Sequence, residues 1–176
     1  PAAAADAAPV TAPAATQPAT KPAGETTVGY RHWAAFKPGS FTRLKGQLAT
    51  DVGMKVEFEL VASLVEIRPD RVVLEYVTTA FENGVAQKPE VAKQVAPAVN
   101  PNQTERLVGE EEVTVGDRKL KCKVYETTNV QPAAAKAPPI TSRLWVSDEV
   151  PGGIVKSVTT QQGGTITLVL DECRAK

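Results

Sequence analysis

The chain has 176 residues, and its 20 Lys and Arg balance 20 Asp and Glu, so the formal charge at pH 7 is zero. Balanced, interspersed charge excludes the clustered Lys and Arg that neutralise nucleic-acid phosphates, and no apolar run approaches the roughly 20 residues of a membrane-spanning helix. A domain of about 150 residues buries roughly two thirds of its unfolded surface, so neither a metal nor a dense disulfide network is needed for folding.

Residues 1–24 are mostly Ala and Pro, with Asp6 and Lys21 as their charges. No periodic pattern of large apolar residues runs through them, so nothing offsets the entropy of ordering them into a core. They read as an extended tail or linker, in which Pro9, Pro13, Pro18 and Pro22 are candidate partner-binding positions. At about 3.1 Å per residue such a tail spans roughly 70 Å. The chain starts with Pro1 and has one Met, Met54, which suggests a removed targeting peptide or a trimmed boundary. A flexible leader before a β-rich domain suits an exported envelope protein. Residues 25–176 are expected to form that single domain.

Within 29–36, Tyr30, Trp33 and Phe36 recur at three-residue intervals, which predicts a short helix with an aromatic side. Pro38 and Gly39 stop it. Thr42, Leu44 and Leu48 alternate with Arg43, Lys45 and Gln47, and Met54, Val56, Phe58 and Leu60 alternate with Lys55, Glu57 and Glu59. Both stretches read as half-buried strands. Past Leu60 the apolar face changes to Val61, Val65 and Ile67, which demands a bulge near Ala62 or helical cover over that end. A reversal at Arg68, Pro69 and Asp70 leads to the strand of Val72, Leu74 and Tyr76. In 82–104 the β pattern lapses, and Pro89 followed by Val91 and Val95 predicts a brief second helix.

The turn at Gly116 and Asp117 predicts a hairpin pairing Val113 with Leu120, Glu112 with Lys121 and Glu110 with Lys123. Opposite charges facing across strands contribute about 0.2–1 kcal/mol per pair, so the acidic and basic runs read as a solvated sheet face. The same register sets Glu111 beside Cys122, at a rim or hydrogen-bonded. A second Ala/Pro segment, 131–140, precedes Trp145 and the reversal at Pro151, Gly152 and Gly153, a structural turn in which Pro presets φ and Gly accepts positive φ. A last hairpin turns around Gln162, Gly163 and Gly164, with Ile166, Leu168 and Leu170 on one face. The fold expected is mainly β (α+β): a curved antiparallel sheet of about eight strands with one or two short helices packed on one side.

No catalytic or metal motif emerges, and no cofactor is expected. His32 is the only histidine and lies far in sequence from any nucleophile motif. With Cys122 and Cys173 it lacks zinc-ligand spacing. The two cysteines allow one disulfide or two separate thiols. Asp148 and Glu149 sit where an acid pair could work, but Ser147 before them reads as an N-cap with acids in a first helical turn.

Three stretches, HWAAFKPGSFTRLKG, VTVGDRKLKCKVYE and LWVSDEVPGGIVK, together resemble uncharacterised bacterial envelope β-proteins with a Trp-x-Ser-x-x-Val-Pro-Gly-Gly motif. The general design is similar to the half-barrels of lipoprotein carriers (LolA/LolB-like). The first resemblance implies an envelope location and no activity. The second implies a curved sheet partly closed by helices, with Trp33, Phe36, Phe58, Leu64, Tyr76 and Leu168 as candidate cavity residues and a lipid as ligand.

Two functions compete. The first is a non-catalytic exported binding module, an accessory subunit docking on a larger envelope or membrane assembly through protein partners. The alternative is a carrier of an apolar ligand inside the sheet, with the aromatic helix as lid. A hydrolase using Asp148 or Glu149 is a distant third, because no base or oxyanion loop accompanies those acids.

Overall fold

The computed structural model describes residues 25–130 and 138–176. The tail residues 1–24, with the partner-binding positions Pro9, Pro13, Pro18 and Pro22, lie outside the described residues, as do 131–137 of the second Ala/Pro segment. The rest is mostly β: one short helix, α1 (Val28–Ala34), and ten strands. These are β1 (Phe41–Thr50), β2 (Lys55–Arg68), β3 (Arg71–Glu82), β4 (Val85–Ala86), β5 (Glu90–Pro97), β6 (Gln103–Val115), β7 (Arg118–Asn129), β8 (Ile140–Val146), β9 (Ile154–Gln161) and β10 (Gly164–Arg174). They form one open, curved antiparallel sheet in the order β4-β3-β2-β1-β10-β9-β8-β7-β6, with β5 also pairing to β3.

Two faces follow from the register. Thr42, Leu44 and Gly46 of β1 lie opposite Ala62, Leu60 and Phe58 of β2, and Leu44 and Gly46 also face Leu170 and Leu168 of β10. This apolar face carries α1: Trp33 packs with Ala62, Leu64, Val72 and Leu74. A second cluster gathers Leu44, Leu120, Cys122, Val124, Trp145, Val150, Val155 and Leu170. The opposite face of the central strands is laced with ion pairs, among them Lys45 with Asp171 at 2.6 Å and Arg43 with Glu172 at 2.8 Å. At the centre of the sheet, a Cβ added to Gly46 would lie 2.3 Å from the Phe58 ring. Only hydrogen at that position lets the ring lie flat across β1.

The segment expected to be a second helix is the strand β5. It pairs with β3 from Arg71 opposite Pro97 to Thr78 opposite Glu90. The spacing of Val91 and Val95 misleads because four residues is close to one helical turn and also two full strand periods. Both side chains face solvent, at 64% and 59% exposure, so no buried stripe existed to favour a helix, whereas the backbone of β3 needed a ladder partner. With β4, this strand raises the count from about eight to ten.

The expected break in β2 is present three residues later than Ala62. The register shifts between Leu64 and Glu66, so Val65 is the extra residue, and α1 covers the same end. The β6–β7 hairpin has the expected register, with Val113, Glu112 and Glu110 opposite Leu120, Lys121 and Lys123. Near the turn the ion pair is diagonal, Lys119 reaching Glu112 at 3.1 Å, while farther along the hairpin Arg106 pairs with Glu126 directly opposite.

Candidate functional site

Helix α1 starts where its sequence can cap it. Thr27 takes an extended conformation and its Oγ1 accepts the Tyr30 N–H, while its backbone N–H donates to Ala98 O at 2.7 Å. The next orphan donor, the Val28 N–H, points between both carboxylate oxygens of Glu105, at 2.9 and 3.1 Å. Glu105 is 5% exposed and also accepts from Gln103 Nε2 at 3.0 Å. Thus β6 anchors the helix start, while the Tyr30 hydroxyl donates to Arg68 O and Pro69 O at the β2–β3 turn. A helix of seven residues is marginal alone; these anchors hold it on the sheet.

Its other partner is the 147–153 loop. The loop closes on itself through Ser147 N–H to Gly153 O at 2.9 Å and Gly153 N–H to Val150 O at 2.7 Å. Pro151 O accepts from the buried Thr42 hydroxyl of β1. Gly152 and Gly153 have φ of +74° and +79°, and Cβ atoms there would meet the Trp33 indole at 2.5 Å and the His32 ring at 2.8 Å. The loop thus approaches the helix at glycine distance, and the structural role expected of Pro151, Gly152 and Gly153 is a helix-docking surface as well as a turn. Ser147 does receive the turn that follows, its Oγ accepting the Glu149 N–H at 3.5 Å and its O the Val150 N–H at 3.3 Å, but no helix grows from it. Asp148 turns to His32, and Glu149 to Arg118 at 3.4 Å, so the acids are drawn to partners in other elements instead of lining a first helical turn.

Between the helix, the loop and the sheet lies a cavity of ≈ 230 Å³. Trp33, Leu44, Leu60, Tyr76, Leu144 and Leu168 form its apolar walls, with Thr42 and Ser157 adding hydroxyls and no charged residue in the lining. Of the six residues expected here, the structure brings Trp33, Tyr76 and Leu168 to the cavity. Leu64 is in the core at 1% exposure, Phe36 packs beside it, and Phe58 lies over Gly46. The apolar wall residues that sequence reasoning missed include Leu44, Leu60, Ala62, Leu144 and Ile154; alternation in β1 and β2 marked Leu44 and Leu60 as core, without distinguishing core from cavity wall. Burial holds the Tyr76 phenol above its usual range. A larger groove of ≈ 600 Å³ has Lys45, Glu57 and Glu59 in its walls together with Phe58, Phe81 and Val169, so one expected cavity residue, Phe58, lines this mixed charged and apolar surface instead.

Trp145 packs in the core cluster of β7, β8 and β9. It is 8% exposed, its indole N–H donates to Glu111 at 2.6 Å, and Lys156 and Arg143 lie 4.7 and 5.1 Å from its ring. Glu111 is both at a rim and bonded, since Arg143 also donates to it at 3.0 Å. The disulfide allowed by the cysteine count is not formed: Cys122 is a buried free thiol and Cys173 a half-buried one. Burial first, then the Glu111 and Glu149 charges, pushes the Cys122 thiol up to about 11. Thiolate is the reactive form, so native protein at pH 8 should take up iodoacetamide at Cys173 before Cys122. Peptide mass mapping checks this; first labelling at Cys122 would contradict it.

Among the described residues no helix is long and apolar enough to cross a membrane, and no three His, Cys, Asp or Glu side chains gather as a metal site. No family model matches the chain, and no curated protein matches it. Similar solved structures include a DUF1329 family protein from Desulfovibrio piger, at 8% identity over 85% of this chain and 90% of that one, with a TM-score of 0.33. The hypothetical lipoprotein YmcC from Escherichia coli aligns at 11% identity over 84% and 89%, also with a TM-score of 0.33. A domain from Vibrio parahaemolyticus described as an outer membrane lipoprotein-sorting protein aligns at 9% identity over 85% and 91%, with a TM-score of 0.34. What this chain does is therefore read from its own residues.

Proposed function

We propose that the chain is a non-catalytic carrier that shelters an uncharged apolar chain, such as a lipid acyl chain, between α1 and the sheet. One observation carries the reading: the ≈ 230 Å³ cavity has aromatic and aliphatic walls and no charge. It is smaller than the roughly 300–1,000 Å³ of drug-sized sites, so it suits one narrow chain or part of a larger lipid. The half-buried Leu48, Phe58 and Ile166 extend the apolar face beyond it and would bear on the remainder. His32, the chain's one histidine, faces Val28 O and Asp148 and is not among the residues that line the cavity. A cell-envelope location belongs to the same proposal and is checked by fractionation.

Binding is tested with N-phenyl-1-naphthylamine, whose fluorescence rises in apolar surroundings. The wild-type protein should bind it, and Leu168→Glu should weaken binding about 30-fold or more, since placing a carboxylate in an apolar wall costs about 2 kcal/mol or more. Circular dichroism controls for folding. No binding by the wild type, or equal affinity in the variant, would sink the carrier reading.

A docking module without its own ligand is the second reading, and β5 favours it. This outer strand presents Val91 and Val95 to solvent, at an edge that a partner strand could extend. Co-purification from native membranes with and without residues 1–24 separates a tail-borne interaction from one made by the domain.

A further inference from the structure

Ser157 departs from the pattern around it. β9 buries two side chains, Val155 and Ser157, and a buried strand position ordinarily holds a β-branched or aromatic residue. In the ladder Ser157 stands directly opposite Leu144 of β8 on one side and Leu168 of β10 on the other, and Gly46 and Phe58 continue the same row. Residues paired across strands share a face, and Leu144, Ser157 and Leu168 all line the ≈ 230 Å³ cavity. Ser157 is 5% exposed, and among the described residues its hydroxyl has no hydrogen-bond partner. Native proteins leave few buried hydroxyls unbonded, so this one is free to bond what enters the cavity.

The ligand class follows from the rest of the lining. Among the described residues that form it, none is charged, and a carboxylate buried there would have no counter-ion to offset its desolvation. An alcohol would bring a donor of its own as well as an acceptor, whereas an ester brings acceptors only. Thr42 is already engaged, its hydroxyl donating to Pro151 O. Tyr76 is half-buried on β3, four places from β9 in the sheet order, so Ser157 is the hydroxyl on hand where β8, β9 and β10 form the wall. We infer that Ser157 determines specificity: its hydroxyl donates to the carbonyl oxygen of a neutral acyl ester seated in the cavity. This rests on the carrier reading and adds to it the chemical class of the ligand and the residue that recognises it.

Displacement of N-phenyl-1-naphthylamine by methyl octanoate and by decane, chains of similar length, is measured on the full wild-type chain and on Ser157→Ala. The ester should bind the variant about three- to tenfold more weakly, the size of one neutral hydrogen bond, while decane should bind both proteins alike. The infrared carbonyl stretch of bound methyl octanoate should lie lower on wild type than on the variant, as a hydrogen-bonded carbonyl does. The ligand-free variant should melt no lower than wild type, because it loses no internal hydrogen bond. An unchanged ester affinity, an equal loss for decane, or one carbonyl frequency in both proteins overturns the assignment to Ser157 and leaves the carrier reading standing. A clearly lower melting temperature does the same, since it would place the hydroxyl's bond inside the protein. Binding of neither compound to wild type sinks the carrier reading, and this inference with it.

Discussion

Glu105→Ala should lower the melting temperature by about 5–15 °C and release α1 from the sheet. The buried carboxylate receives the Val28 N–H through both oxygens. Removing it leaves that donor orphaned and a void at the helix start. A buried group stripped of its acceptor costs about 1–3 kcal/mol, and the lost helix anchor adds about 1 kcal/mol. At roughly 2–4 °C per kcal/mol for a domain of this size, the loss is readily measured by calorimetry. Glu105→Gln keeps one oxygen at the same reach, so about half of the effect should return. Near-UV circular dichroism should register the change through Trp33, whose surroundings depend on α1. An alanine variant that melts like the wild type, with Trp33 unmoved, would remove Glu105 from the account of how the helix is held.

Gly152→Ala should be nearly as damaging, for a different reason. Its φ of +74° costs a residue with a Cβ about 1–2 kcal/mol, and the new methyl would lie 2.5 Å from the Trp33 indole. Trp33 is 6% exposed and packed on Ala62 and Leu64, so its ring has little room to move, and forced overpacking costs about 1–3 kcal/mol more. Two controls separate strain from clash. Gly116 has φ of +56° with nothing within 4 Å of its added Cβ, so Gly116→Ala should show the strain alone. Gly29 lies in α1 with open space around it, and Gly29→Ala should stabilise by about 0.5–1 kcal/mol. If the variants at 152 and 116 cost the same, the contact with Trp33 carries no energy.

Much of the scaffold was legible because its signals are local. Alternation in β1, β3, β7 and β10 follows from the two-residue strand period. The hairpin register followed from a Gly-Asp turn and the charges beside it. The aromatic spacing around Trp33 gave the helix. The misreadings occur where local rules are degenerate. Val91 and Val95 fit either period, and nothing nearby could say that β3 lacked a partner. Ser147 with two acids has the composition of a helix start, but Gly152 and Gly153 turn the chain back before a helix can form. Cavity residues were half legible: a strand face can be read as apolar, yet whether a neighbour fills the space above it depends on distant chain.

By itself, the sequence determined the β-rich domain, its single aromatic helix, the solvated charged hairpin and the Pro-Gly-Gly reversal, since each depends on residues within a few positions of one another. Tertiary structure alone decided that Glu105 receives the helix, that His32 meets Asp148, and that Trp33, Leu60, Leu144 and Leu168 leave a space between them. Those arrangements bring together residues from distant parts of the chain, and they exist only because the ten strands curve far enough to bring both ends of the sheet to one short helix.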